Sequence, residues 1–382
     1  MNNKKYILLR LSILLKGILP SLLSFFIYRK RFRVIFSSEF NTEFNHNSKW
    51  LFLYFLEECK SYEVKFVIND ATRRQELIEY YGPYFISNTK FHDIIYILSS
   101  YTWFTSSLET PIGGFFHSFR RKVFHLGHGI PIKSIGLQER NLSITKVIYY
   151  SLIRSNFSYF VSTSPVFDKV WESFIDVPEK KVIRGGQPRN DCFFLNDTHG
   201  YNCDNSVMNI LYAPTWRPYS ETKLFPFSDF SAIELDDFLG EVNAFIYLRL
   251  HPNFEENIPS NLLCLKNVRI LKKSQLSDIN EFLSRVDLLI TDYSSIYADF
   301  LLLNKPIMFL PYDYDIYERL VGFSVEYKLV TPGPKPKSFK DFKVEAKKLL
   351  SDIDYYSEER IRICKLFNVI QKEHSKSILK LL

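Results

Sequence analysis

The chain of 382 residues contains no G-x-G-x-x-G run, which argues against a dinucleotide cofactor held in the usual glycine fingerprint. It has five cysteines, Cys59, Cys192, Cys203, Cys264 and Cys364, an odd number with no C-x-x-C pair. They predict free thiols in a reducing compartment, with neither a disulfide framework nor a zinc site. No segment is of low complexity. No acidic residue occurs before Glu39, while Lys4, Lys5, Arg10, Lys16, Arg29, Lys30, Arg31 and Arg33 are all basic. The longest apolar run is too short for a spanning helix, and no small-residue cleavage site follows it, which argues against a cleaved signal peptide.

What is present is enough apolar material, 46% of residues, for two domains with cores. The net charge of +7 is concentrated at the amino terminus. That start favours anionic lipid headgroups over nucleic acid, because no aromatic-and-basic RNA-binding signature accompanies it. Within Tyr6 to Tyr28, Arg10, Gly17, Ser21 and Ser24 fall on one narrow helical face, and Leu, Ile and Phe cover most of the rest. This pattern predicts a helix lying on a membrane surface and anchored by Arg29 to Arg33. A core helix of the first domain is the plainer alternative.

Downstream, short apolar runs of strand length alternate with amphipathic stretches. Strands are predicted at Phe32–Ser37, Val64–Ile68, Tyr101–Ser106, Val123–Leu126, Tyr159–Thr163 and Val182–Arg184. A polar stretch from Asp197 to Ser206 reads as a linker. A second series follows, with strands at Asn209–Tyr212, Phe245–Leu250, Val268–Leu271, Val286–Ile290 and Ile307–Leu310. The alternation predicts parallel sheets in two α/β halves, with a ligand cleft where the halves meet. The boundaries expected are 1–31 for the basic apolar helix, 32–196 and 207–353 for the two halves, and 354–382 for a closing helix.

The candidate chemistry sits at strand ends. In the segment His125 to Pro131, Gly127 and Gly129 frame His128 and leave its imidazole exposed where a base is useful. A structural histidine is the alternative. In Arg249-Leu250-His251-Pro252-Asn253, strand alternation sends Arg249 and His251 to one side. Thr215 and Arg217 follow another strand and could contact phosphate. Arg189 and Asp191 close the first half, where an interdomain pair is as plausible as ligand binding. Asp292, Ser294 and Ser295 follow Val286–Ile290 at the start of a helix over Ile296–Leu303. Free backbone N–H groups there, with two hydroxyls, suit a phosphate. Asp299 lies on that helix, facing the cleft or solvent. Asp313 and Asp315 resemble a metal-binding pair only loosely, with no third ligand.

Together, HLGHGIPIKSIGL, GGQPRND, YAPTWR, RLHPN and ITDYSSIYADFLLLNKPIMFLPYDYDIYERLVGF resemble the motif series of the CDP-glycerol glycerophosphotransferase family, which primes or polymerises teichoic acids and related capsule polymers of bacteria. The resemblance runs in order from about Phe32 to Phe323. It implies a GT-B fold, two Rossmann-like parallel-sheet domains facing across a cleft, with 32–196 taking the acceptor and 207–353 the CDP donor. It implies a peripheral enzyme on the cytoplasmic face of the cell membrane, a CDP-activated polyol as co-substrate, a lipid-linked glycan or polymer as acceptor, and no cofactor. By position, His128 resembles the family's proposed catalytic base and His251 its second essential histidine. Ser294, Ser295 and Arg249 match positions near the donor phosphates. A GT-B glycosyltransferase using a nucleotide sugar is the alternative, because fold does not fix chemistry.

Overall fold

Residues 3–195, 206–251, 254, 255 and 257–382 are described by the computed structural model, residues 3–6 by their backbone alone. The chain divides into two compact units. Unit 1 comprises Met1–Ile130, Ile135–Asp191 and Asn368–Leu382; unit 2 comprises Pro131–Ser134 and Cys192–Phe367. The stretch expected as a linker, Asp197 to Ser206, lies outside the described residues except for Ser206.

Unit 1 is built on seven strands: β1 (Lys30–Ser37), β2 (Glu63–Val67), β3 (Phe85–Ile86), β4 (Ser100–Thr105), β5 (Lys122–His125), β6 (Tyr159–Ser162) and β7 (Val182–Arg184). Their order is β3-β2-β1-β4-β5-β6-β7, and every pairing is parallel. Strand order reverses between β1 and β4, the position where open α/β sheets bind ligands past the strand carboxyl ends. The core is rich in phenylalanine: Phe36 packs against Phe52, Phe55 and Phe104, with ring centroids 5.4–5.5 Å apart. Helices cover both faces of a parallel sheet, so its strands read as near-continuous apolar runs, and this made them legible.

Unit 2 repeats the plan with β8 (Met208–Ala213), β9 (Ala244–Leu248), β10 (Val268–Ile270), β11 (Leu288–Thr291) and β12 (Ile307–Phe309). The order is β10-β9-β8-β11-β12, all parallel, with its own reversal between β8 and β11. Ile210, Leu248, Ile290, Met308, Phe339 and Phe342 are among its buried core side chains.

Several elements depart from the sequence reading. The strand β3 has only two residues, too few for a periodicity. The helices Ile144–Ile153 and Tyr314–Leu320 were not anticipated. The single closing helix expected over 354–382 is two helices, Ser357–Phe367 in unit 2 and His374–Leu379 in unit 1.

The amino-terminal helix is also two, Asn3–Lys16 and Ile18–Ser24, with a bend of 44° between Ile7–Lys16 and Ile18–Ser24. No single helix among the described residues is long and apolar enough to cross a membrane, though this bent pair passes by length and composition. Its small-residue face is the one that packs inward. A Cβ on Gly17 would lie 1.8 Å from the Gly113 carbonyl carbon, so the two backbones touch. The Ser21 hydroxyl accepts from the Phe115 N–H at 2.9 Å, and Arg10 pairs with the buried Glu109 at 2.6 Å. The opposite face leaves Leu8, Leu15, Leu19, Leu22 and Phe26 exposed. Ile7 and Leu14 are buried as well, so the helices pack on unit 1 through their polar and small residues and part of their apolar surface, and the remaining apolar side chains are bare.

Candidate functional site

In unit 1 the chemistry gathers past β5. Gly127 and Gly129 take φ of +66° and +148°, which L side chains rarely adopt. A Cβ on Gly127 would also meet the Trp171 ring at 3.3 Å. Three hydrogen bonds to its carbonyls clamp the turn. Asn47 donates through Nδ2 to the Leu126 and Gly127 carbonyls at 3.1 and 2.9 Å. Asn47 Oδ1 accepts from the Arg189 N–H at 3.2 Å, and Arg189 Nη1 donates to the His128 carbonyl at 2.5 Å. Buried Arg189 thus holds the turn and is not presented to solvent. Asp191 caps the helix His374–Leu379, accepting from the His374 and Ser375 N–H groups at 2.7 Å each.

His128 itself is exposed. Its Nδ1 lies 3.1 Å from the Ser106 carbonyl at the end of β4. A carbonyl can only accept, so Nδ1 carries the proton and Nε2 keeps its lone pair. Loss of hydration in the dense turn lowers the ring's pKa below the ordinary value. His46 and Arg189 act in the same direction, while Glu39 and the Ser106 bond oppose them. The His46 ring centroid is 5.4 Å from that of His128, and its Nε2 is 3.8 Å from Glu39 Oε1. Sequence reasoning missed Asn47, Ser106, His46 and Glu39. A signal existed only in the backbone: Phe40, Asn41 and His46 all have φ above +50° without being glycine. His125, also in the motif, is buried among Phe157, Phe160, Trp171 and Phe174. Burial drives its pKa down to about 3, so it is a neutral core residue.

In unit 2 the centre is Asp292, directly after β11. Its Oδ1 accepts from the Thr215 N–H at 2.8 Å and from the Tyr293 N–H at 2.5 Å, which ties the ends of β8 and β11 together at the reversal of strand order. Its Oδ2 takes Arg217 Nη1. Arg217 is buried and also forks onto Asp313, Nε at 3.0 Å and Nη2 at 2.8 Å. Asp313 further accepts from Tyr219 at 2.7 Å and Tyr293 at 3.0 Å. Burial works to lower the Arg217 pKa, but Asp292 and Asp313 outweigh it and raise it. Arg217 is spent inside the unit, where the sequence had offered it to phosphate. Asp313 has no lone pair left for a metal, which corrects the loose acidic-pair reading. Asp299 is buried, so its solvated alternative fails.

Between Leu288 and Leu301 only Ser294 and Ser295 reach solvent. The helix behind them runs Ile296–Phe300 and continues as a 3₁₀ turn over Leu301–Leu303. Neither serine caps it in the expected manner: Ser295 has helical φ and ψ, and the Ser294 hydroxyl accepts from the Ile296 N–H at 3.4 Å. Both hydroxyls can therefore still donate outward. Thr215 keeps a buried hydroxyl with no hydrogen-bond partner among the described residues. The strand β9 stops at Leu248, so Arg249 and His251 lie beyond it and alternation does not set their directions. Arg249 Nη1 donates to the Leu271 carbonyl at 3.0 Å. His251 is exposed, its ring centroid 6.0 Å from that of Trp216. Partial burial, then Lys273 and Lys133, lower its pKa. Pro252 and Asn253 of the same motif lie outside the described residues. Among the described residues no three His, Cys, Asp or Glu side chains are grouped to hold a metal ion.

A family model described as CDP-Glycerol:Poly(glycerophosphate) glycerophosphotransferase matches residues 22–381. A teichoic acid glycerol-phosphate transferase of Staphylococcus aureus is 31% identical over 242 residues, which cover 57% of this chain and 60% of that one. A teichoic acid poly(glycerol phosphate) polymerase of Bacillus spizizenii is 26% identical over 325 residues, 80% of each chain. The chain thus spans less than two thirds of the staphylococcal relative. Among solved structures, the wall teichoic acid polymerase TagF superposes with a TM-score of 0.77 at 20% identity, covering 95% of this chain and 91% of that one. A putative UDP-N-acetylglucosamine 2-epimerase from Listeria monocytogenes gives a TM-score of 0.55 at 12% identity, covering 92% and 95%. At these identities the superpositions establish shared architecture, two parallel-sheet α/β units, and nothing further.

Proposed function

The chain belongs to the CDP-glycerol:poly(glycerophosphate) glycerophosphotransferase family, and from that premise we propose that it transfers a polyol phosphate, glycerol phosphate foremost, from a CDP-activated donor to a hydroxyl of a membrane-linked acceptor. CMP leaves. The family match over residues 22–381 carries this reading. His128 supplies its chemistry, with the tautomer fixed by Ser106 so that Nε2 is the free base. The acceptor oxygen attacks the donor's β-phosphorus, forming one P–O bond. The bond from that phosphorus to the bridging oxygen breaks, and the bridging oxygen departs with CMP. The hydroxyl proton passes to Nε2 of His128. Ser294, Ser295, Arg249 and His251 hold donor phosphate charge in unit 2, where fixed donors stabilise charge without reorganising. Arg217, Asp292 and Thr215 position those groups from beneath, while Arg189 holds the His128 turn in unit 1. Asp299 supports the serine turn.

The protein is incubated with CDP-glycerol, CDP-ribitol and a panel of nucleotide sugars on acceptor-bearing membranes, and the leaving nucleotide is measured. CMP release from a CDP-polyol is the expected result. Turnover of a nucleotide sugar alone would replace this reading with a glycosyltransferase of the same architecture.

The exposed apolar face of the amino-terminal helices supports peripheral attachment to a bilayer. Leu19 is 66% exposed and Phe26 89%, with Lys16, Lys30 and Arg31 exposed nearby. Phe25 adds to the surface and touches Phe119 at 5.2 Å between ring centroids. Such a face gains from insertion at the headgroup boundary, and the cations gain from anionic lipid. Leu19→Glu with Phe26→Glu should lower flotation with phosphatidylglycerol vesicles at least about tenfold. Undiminished flotation of the double variant would remove this face from the account.

A further inference from the structure

Four residues leave the path of unit 1 directly after the His128 turn and belong to unit 2: Pro131 to Ser134. They are fixed there by backbone. The Ser134 N–H donates to the Gly322 carbonyl at 3.1 Å, and the Ser324 N–H donates to the Ile132 carbonyl at 2.9 Å. The Ser324 hydroxyl donates to the Pro131 carbonyl, and Lys133 bridges Phe323 in antiparallel fashion. A lysine on so constrained a strap is not a loose surface cation. The residue is half-buried, and its ammonium makes no hydrogen bond or ion pair with any described residue.

The surroundings explain why that charge is left over. Asp292 and Arg217 lie within electrostatic reach of Lys133, and so does His251. Asp292 is already committed to Arg217, the Thr215 N–H and the Tyr293 N–H. Lys273 adds a second ammonium that acts on His251. Burial, the larger influence, pushes the Lys133 pKa down, and Asp292 pulls it back up. A desolvated ammonium without a partner is costly, and an arriving anion removes that cost. The hydroxyl of Thr215, whose N–H binds Asp292, is buried and has no hydrogen-bond partner among the described residues, a second polar group in want of one.

We propose that Lys133 is a ligand of the donor's diphosphate, delivered to unit 2 by the 131–134 strap and acting on the same phosphates as His251. This rests on the CDP-donor reading above and adds a binding residue to it. The strap lies in the HLGHGIPIKSIGL segment, whose lysine the sequence gave no role.

The test is isothermal titration of CDP-glycerol into the wild-type chain, Lys133→Met and Lys133→Arg, with cytidine as a competitor that has no phosphate. Lys133→Met should weaken CDP-glycerol binding about tenfold or more, as loss of a charge-assisted contact does. Cytidine binding should be unchanged, and Lys133→Arg should restore most of the affinity for CDP-glycerol. Because the strap is held by its backbone, thermal unfolding of both variants should match wild type. Wild-type affinity in Lys133→Met overturns the assignment and leaves the donor reading standing. Equal weakening of cytidine and CDP-glycerol, unrescued by arginine, also overturns it, because Lys133 would then only support the strap. A wild-type chain that binds no CDP-glycerol removes the donor reading and this proposal together.

Discussion

His128→Ala should lower CMP release from CDP-glycerol by about 10²–10⁴-fold, the range a positioned general base contributes. The loss should fall on kcat, with the donor's affinity and the folded state intact. The imidazole is exposed, and the turn beneath it is held by Asn47 and Arg189 through backbone atoms. The pH profile gives a second, independent reading of the same residue. The His128 pKa is held below its ordinary value, so the free base persists below pH 6.5. Activity should therefore be retained as pH falls through 6.5 and be lost only as it passes the lower folded-state pKa. His46→Ala removes a group that depresses this pKa and should move the acid limb upward. Glu39→Gln removes a group that raises it and should move the limb downward. A His128→Ala protein that folds and releases CMP at the wild-type rate would end the base assignment. An acid limb indifferent to both neighbours would show that another group titrates in it.

Arg217→Met should cost unit 2 about 3–5 kcal/mol, the penalty for leaving a buried charge unpaired. Asp292 and Asp313 meet at this guanidinium, and Arg217 and Asp292 are each only 1% exposed. Methionine fills most of the volume but leaves two carboxylates facing each other near the ends of β11 and β12. Arg217→Lys keeps the charge but cannot fork onto Asp313 while reaching Asp292, so its cost should be smaller without vanishing. Adding Asp313→Asn to Arg217→Met should recover part of the loss, because one uncompensated charge is gone. Hydrogen exchange of the β8 and β11 amides reads the effect in unit 2. A loss below about 1 kcal/mol, the scale of an exposed pair, would mean that water reaches this network.

The two buried roles of arginine show where sequence reading stops. Arg217 and Arg189 both follow strands, and a strand-end arginine looks like a phosphate ligand. Arg217 instead meets carboxylates 75 and 96 residues further along the chain, at Asp292 and Asp313. Arg189 reaches back 61 residues to the His128 carbonyl. Nothing local encodes such pairings. The amino-terminal helices teach the complementary lesson. The sequence correctly separated a face of Arg10, Gly17, Ser21 and Ser24 from a face of Leu and Phe. Which of the two turned inward depended on Gly113, Gly114 and Glu109, about a hundred residues away.

The sequence by itself determined the parallel α/β plan of both units, because strands covered on both faces must be apolar throughout. It also determined the glycine frame of His128, because two positive-φ positions need residues without side chains. Tertiary structure alone decided which charges are spent internally and which stay open: Arg217 and Asp313 neutralise each other, while Lys133 and the hydroxyls of Ser294 and Ser295 remain available. The physical reason is that periodicity and turn chemistry act over a few residues. Charge pairing is settled by whatever distant side chain burial brings within about 3 Å.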